Sequence, residues 1–260
     1  MHIPVLSLKG VNYTYSNGRS FSFHNISLRI FEKSITCILG RNGVGKTTLL
    51  LIMLGFLKPT KGTVEYSSKL GSGEPKSKNI KISYLPQYER IQEKMKVGDY
   101  MLMGRIPFIS PLILPRIEDW EIVIKYAGML DLIHLLDYPM EEISGGEFQR
   151  VRLGRALVQE SDLILLDEPI THLDINAKFK MMDLIKKLNA LEKSIIFSSH
   201  DPTEALQISD FALLIHDDHS IHYGATKEIV TNKNLSRCFN MPITIYAGKN
   251  SFSCIIERST

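Results

Sequence analysis

The order of apolar and polar positions divides the chain into strand-length and helix-length pieces. Residues 5–8, 21–30 and 35–39 are β-branched or apolar runs of strand length, separated by turn formers such as Ser16-Asn17-Gly18. The earliest of these fit antiparallel strands. The run ITCIL at 35–39 leads straight into a glycine-rich turn and an apolar helix over about 46–56, the order that opens a parallel α/β unit. LILL at 163–166 and SIIF at 194–197 are apolar on both faces, as strands inside a parallel sheet are. From 95 to about 136 the period is helical, interrupted by the three prolines of GRIPFISPLILP at 104–115, each of which ends or bends a helix. Residues 67–79, SSKLGSGEPKSKN, are polar and aperiodic and predict a mobile surface loop. The pattern predicts an α/β fold with a mostly parallel sheet and a helical lobe.

At 260 residues the chain suits a main core with a subordinate lobe. Hydrophobic residues at 44% and charged residues at 23% exclude a disordered or fibrous chain. A net charge of +3, with no basic run beyond Lys186-Lys187, gives no footprint for nucleic acid. Cys37, Cys238 and Cys254 form no CxxC pair, which argues against a disulfide framework or zinc site and fits a reducing compartment. The N-terminus has no basic start before a long apolar run, and the longest apolar stretch, 48–57, is half a membrane span. The expectation is a soluble, cytoplasmic chain whose membrane role, if it has one, comes through a partner.

The strongest chemical signal is GRNGVGKT at 40–47, the P-loop spacing. Gly43 and Gly45 let the backbone curl so that amide hydrogens converge on phosphate oxygens. Lys46 neutralises the β and γ phosphates, and the Thr47 hydroxyl can hold Mg²⁺. The candidate ATP-binding set is Gly40, Arg41, Asn42, Gly43, Val44, Gly45, Lys46, Thr47 and Thr48. DLILLDEP then delivers Asp167 and Glu168 at the C-terminal end of a buried strand, where ligands sit in open α/β sheets. Asp167 completes a Mg²⁺ shell, and Glu168 is suited to take a proton from the attacking water. SIIFSSHD ends in His200, which on its own reads as an ordinary surface histidine and beside the other motifs as a γ-phosphate donor.

EEISGGEFQR at 141–150 puts a serine and two glycines at a helix start, a second mouth suited to an anion. A serine N-cap with Glu147 in the first turn explains the same letters structurally. The ordered set GRNGVGKT, YLPQ with Gln87, ISGGEFQR, LILLDEP, THLD with Asp174 and SSHD with His200 resembles the nucleotide-binding subunit of ATP-binding cassette transporters over nearly the whole chain. SGGE shortly before the aspartate-glutamate strand is the discriminating feature.

The resemblance implies a P-loop NTPase (RecA-like) α/β core, with an N-terminal antiparallel β subdomain and an inserted α-helical subdomain. It divides a single 1–260 ATPase domain into 1–87, a helical 88–158 and 159–260. It implies an ATPase that works as a homodimer, in which Ser144, Gly145, Gly146 and Glu147 of one chain act on the ATP held by the other. Tyr15 would stack on adenine, with Tyr13 as competitor. Gln87 would contact Mg²⁺ or the attacking water, and Asp174 would communicate between the copies. The implied partners are integral-membrane permease subunits and an extracytoplasmic substrate-binding protein, with the chain on the inner face of the membrane and no nucleic acid. VGDYMLMGRIPF at 97–108 resembles importers of iron-siderophore, haem or cobalamin; import of another solute or metal, or cytoplasmic work such as iron–sulfur cluster assembly, is the alternative. Ile143 departs from the commoner leucine, and Lys33 stands where many relatives have glycine, which puts that turn in doubt. HDDHSIH at 216–222 reads as strand, turn and strand rather than as a metal cluster.

Overall fold

The computed structural model describes residues 3–15, 21–66, 80–89, 94–109, 114–248 and 252–256. The turn at Ser16-Asn17-Gly18 and the loop at 67–79 lie outside the described residues. The chain begins with β1 (Pro4–Thr14), β2 (Ser22–Phe31), β3 (Ile35–Leu39), α1 (Lys46–Met53) and β4 (Lys61–Tyr66). Next come β5 (Ile82–Leu85), α2 (Val97–Leu102), α3 (Ile117–Met129), α4 (Gly145–Leu157) and β6 (Leu163–Leu166). They are followed by α5 (Ile175–Ala190), β7 (Ser194–Ser199), α6 (Pro202–Ile208), β8 (Phe211–Ile215) and β9 (Ile221–Ala225). The chain closes with α7 (Thr226–Ile229), α8 (Asn232–Phe239), β10 (Ile243–Ala247) and β11 (Phe252–Ile256).

The early strands pair antiparallel, in the order β2-β1-β4. The larger sheet runs β5-β6-β7-β3-β8-β9, parallel throughout except for the β8–β9 edge. Alternation along its strands builds two cores. Ile38, Leu163, Leu165, Ile196 and Leu213 pack toward α1 and the antiparallel sheet. Leu39, Ile164, Leu166, Ile195 and Phe197 pack toward the helices on the other face. Because both faces are covered, β3, β6 and β7 are buried along their whole length. Their C-terminal ends therefore sit on a rigid platform.

The first part of the proline-rich interruption forms a 3₁₀ turn over Met103–Phe108 that contains Pro107, while residues 110–113 lie outside the described residues. A Cβ on Gly104 would lie 2.1 Å from the Arg155 carbonyl oxygen, so this turn meets α4 backbone to backbone and only glycine fits. Helix α1 is shorter than its apolar run predicts: it ends at Met53, and the amides of Phe56 and Leu57 turn back to the Leu51 carbonyl. Lys33 adopts the left-handed backbone, with φ 55°, that glycine takes more readily, and its amide donates to Ser194 Oγ. The β8–β9 hairpin spans HDDHSIH, with His216 Nε2 3.3 Å from His222 Nδ1.

Candidate functional site

The glycine-rich turn joins buried β3 to α1, so the helix mouth faces the C-terminal edge of the sheet. Gly45 takes φ 110°, and a Cβ there would stand 2.5 Å from the Phe21 ring. Lys46 is 5% exposed and folds back over the loop, its ammonium 3.0 Å from Gly40 O, 3.2 Å from Arg41 O and 3.1 Å from Glu168 Oε1. The loop lines a cleft of about 450 Å³ together with Tyr15, Phe21, Gln87 and Glu168. Asn42, Gly43, Gly45, Lys46, Thr47 and Thr48 line this cleft. Gly40, Arg41 and Val44 do not: Val44 is buried, and Arg41 turns outward to Asp217 at 2.8 Å. Tyr15 takes its place in the wall with its hydroxyl 3.0 Å from Thr48 Oγ1, whereas Tyr13 is buried edge-on behind it.

Strand β6 brings Asp167 to Thr47, whose hydroxyl donates to Asp167 Oδ2 at 2.7 Å. Glu168 follows in a left-handed conformation, φ 49°, uncommon for a non-glycine residue and one that costs about 1–3 kcal/mol. Its carboxylate accepts from Gln87 Nε2 and Thr171 Oγ1, each at 3.1 Å, and lies 3.5 Å from His200 Nδ1. Burial pushes the Glu168 carboxyl up, but the Lys46 charge with hydrogen bonds from Lys46 and Thr171 outweighs it and holds the group below its ordinary value. The structure thus gathers Gln87, Glu168, His200, Lys46, Thr47 and Asp167, which come from four separate segments.

Ser144, Gly145, Gly146 and Glu147 lie elsewhere, in a second cleft of about 440 Å³ shared with Asp174. Here the capping box forms in full. Glu147 N donates to Ser144 Oγ at 3.3 Å, and Glu147 Oε2 accepts from Ser144 N at 2.8 Å and from Ser144 Oγ at 2.7 Å. These bonds from the Ser144 side chain and backbone hold the Glu147 carboxyl below its ordinary value. Asp174 caps α5 by accepting from Ala177 N at 2.8 Å.

The sequence pattern of the ABC transporter family matches residues 23–171, a span running from β2 through the P-loop and SGGE to the end of the aspartate-glutamate motif. This chain belongs to the ABC transporter family. The manganese transport system ATP-binding protein MntA of Synechocystis is 31% identical over 90% of this chain and 89% of its own length. A Helicobacter pylori protein named probable iron chelatin transport ATP-binding protein is 32% identical over 92% of this chain and 94% of its own. A solved structure named for an inward-facing conformation of a metal-chelate type ABC transporter superposes with TM-score 0.87 at 28% identity, covering 98% of this chain and 97% of the other. As an ABC ATPase the chain binds and hydrolyses ATP. Among its described residues no helix is long and apolar enough to cross a membrane.

The ABC site also contains residues that the motifs do not announce. Ser198 Oγ donates to Asp167 Oδ1 at 2.6 Å and accepts from Glu168 N at 2.8 Å, fixing the Asp167 carboxylate and the Glu168 backbone from the neighbouring strand. Thr171 holds Glu168, and Phe21 shares the Tyr15 wall. Glu204 is buried on α6 and accepts from Ser199 Oγ, next to His200 in the chain, at 2.6 Å. Burial pushes its carboxyl up to about 7, the Ser199 bond opposing and Asp201 adding to the rise. A raised folded-state value means that this group's stabilisation is present below the unfolded value near 4.5 and is lost as pH rises through about 7. Glu204→Gln should therefore match the wild-type melting temperature at pH 4.5 and exceed it at pH 8. Equal melting curves at both pH values would remove the buried acid from the pH response.

Proposed function

We propose that two copies of this ABC subunit meet head to tail, each offering its Ser144-Gly145-Gly146 helix mouth to the γ phosphate gripped by Lys46 of the other. One observation carries the reading: the cleft at the SGGE mouth and the P-loop cleft share no lining residue, so the mouth suits a nucleotide on another copy. Asp174, which lines the same cleft as the mouth, acts between the copies. Asn42, Gly43, Gly45, Lys46, Thr47, Thr48 and Tyr15, which line the P-loop cleft, cradle ATP. The Thr47 hydroxyl and Asp167 carboxylate, 2.7 Å apart, are hard oxygen donors that fit Mg²⁺, with Gln87 beside them. When bound, the ion neutralises charge on the phosphates.

Glu168 takes the proton of the attacking water, Gln87 orients that water and His200 donates to the γ phosphate. ATP closes the pair, closure moves a membrane permease to its other access state, and hydrolysis reopens it. Residues 1–87 and 159–260 act as the nucleotide-gripping body, with 88–158 as the lobe that carries the signature. The relatives' names, for manganese, molybdate and iron chelatin transport, support an importer of metal chelates or metal ions. Iron-siderophore, haem or cobalamin chelates are the cargo class proposed, delivered by an extracytoplasmic binding protein to a permease with this subunit on the cytoplasmic face.

Complementation tests the shared site. Lys46→Met and Ser144→Arg copies should each be nearly inactive alone, and mixing them should restore ATP hydrolysis, because one site of the mixed pair has both an intact P-loop and an intact mouth. A mixture as inactive as its components, or a Ser144→Arg copy hydrolysing at the wild-type rate, would overturn the head-to-tail reading. Uptake of a ferric chelate by vesicles carrying the permease, set against manganese and molybdate, tests the cargo class.

A further inference from the structure

Helix α4 is fastened to the catalytic loops of its own chain at two points. Gln149, 7% exposed, donates its side-chain amide to the Pro169 carbonyl at 2.9 Å, and Pro169 directly follows Glu168. Arg152, 5% exposed, donates one guanidinium nitrogen to Gln149 Oε1 at 2.7 Å and another to the Pro86 carbonyl, and Pro86 directly precedes Gln87. Gln149 and Arg152 are three residues apart, on one face of the helix. Their two backbone acceptors flank the pair that meets where Gln87 Nε2 donates to the Glu168 carboxylate.

Glu89 extends the fastening. It accepts from the Tyr100 hydroxyl at 2.6 Å, pairs with Arg155 at 2.6 Å and lies 3.7 Å from Arg152 Nε. Breaking either buried bond strands a carbonyl or a guanidinium away from water, so helix and loops move together more cheaply than they separate. A helix is stiff over this length, and Ser144 lies about 12 Å along it from Arg152.

We propose that Gln149 and Arg152 form a latch that passes displacement of the backbone beside Gln87 and Glu168 into α4 and on to its Ser144 tip, making the two ATP sites of a dimer cooperative. The inference rests on the head-to-tail dimer proposed above. Each α4 then takes its input from the nucleotide of its own chain and delivers its output to the nucleotide of the other. Gln149 and Arg152 are positioning residues, since neither lines the P-loop cleft.

The test uses Gln149→Met, which keeps bulk and loses the amide, and Arg152→Lys, which keeps a buried cation and loses the two-pronged grip. Wild-type ATP hydrolysis should follow ATP concentration with a Hill coefficient between about 1 and 2, and both variants should fall to about 1. Their affinity for a fluorescent ATP analogue should stay unchanged. The double variant should lose no more cooperativity than either single change, as expected for one unit. A latch that serves stability alone would lower the melting temperature and leave the Hill coefficient in place, which overturns the inference. ATP-driven dimerisation of Glu168→Gln, followed by gel filtration, separates the two readings. No dimer overturns the head-to-tail arrangement; a dimer with cooperativity untouched in both variants overturns only the latch.

Discussion

A Glu168→Gln subunit should bind ATP, close onto a second copy and stay there, with turnover reduced about 10²- to 10⁴-fold, the usual worth of a positioned general base. The geometry adds a direction for affinity. In the wild-type chain Glu168 Oε1 is 3.1 Å from the Lys46 ammonium, so the γ phosphate competes with this carboxylate for the same cation. Glutamine keeps the oxygen that accepts from Gln87 and Thr171 and removes the competing charge, so ATP should bind the variant at least as tightly as wild type. Single-turnover hydrolysis and equilibrium nucleotide binding measure the two effects separately. Wild-type turnover would remove Glu168 from the role of base, and weaker binding would show that the carboxylate does not compete for Lys46.

Lys46→Met should lose ATP affinity by about 10²-fold or more, in line with the 2–5 kcal/mol that truncating one partner of a buried, hydrogen-bonded charge pair costs. The substitution also strips Glu168 of the cation that holds its carboxyl low, leaving burial, the largest influence on that group, with less to oppose it. In wild type the stabilisation from Glu168 is present above the unfolded glutamate value near 4.5 and is lost as pH falls through the lower folded value. In Lys46→Met that loss should begin at higher pH. Isothermal titration with ATP and acid denaturation followed by circular dichroism read the two consequences. Unchanged affinity would discredit the phosphate cradle, and an unmoved acid transition would show that Lys46 does not set the state of Glu168.

Much of this site can be read from letters because each motif sits where a buried strand ends. GRNGVGKT follows ITCIL, DEP follows LILL and SHD follows SIIFS, so the apolar runs say where the polar residues emerge. The choice between Tyr13 and Tyr15 is harder. Residues two apart share a strand face, so alternation cannot separate them; Tyr15 reaches the cleft because β1 ends at Thr14. Ser198 is hidden for another reason: its bonds to Asp167 and Glu168 exist only because β7 pairs with β6, and register between distant strands has no local signature. Gln149 and Arg152 escape notice because their acceptors outside α4 are backbone carbonyls, which every residue possesses and no letter marks. The short α1 has a local cause that the apolar run masks: Gly55 takes φ 78° and the Phe56 amide closes back on the Leu51 carbonyl, a glycine stop to the helix.

The neighbouring positions of β6, β7 and β3 in the sheet bear on how chain length can drift in such a protein. One extra residue inside any of the three would push its terminal group forward by about 3.3 Å and turn it to the opposite side, dismantling the reaction centre without altering a single motif letter. The same insertion in the turn between β8 and β9, at the antiparallel edge, would leave the three strand ends where they are. Length polymorphism compatible with activity should therefore collect in such turns and be absent from Ile35–Leu39, Leu163–Leu166 and Ser194–Ser199.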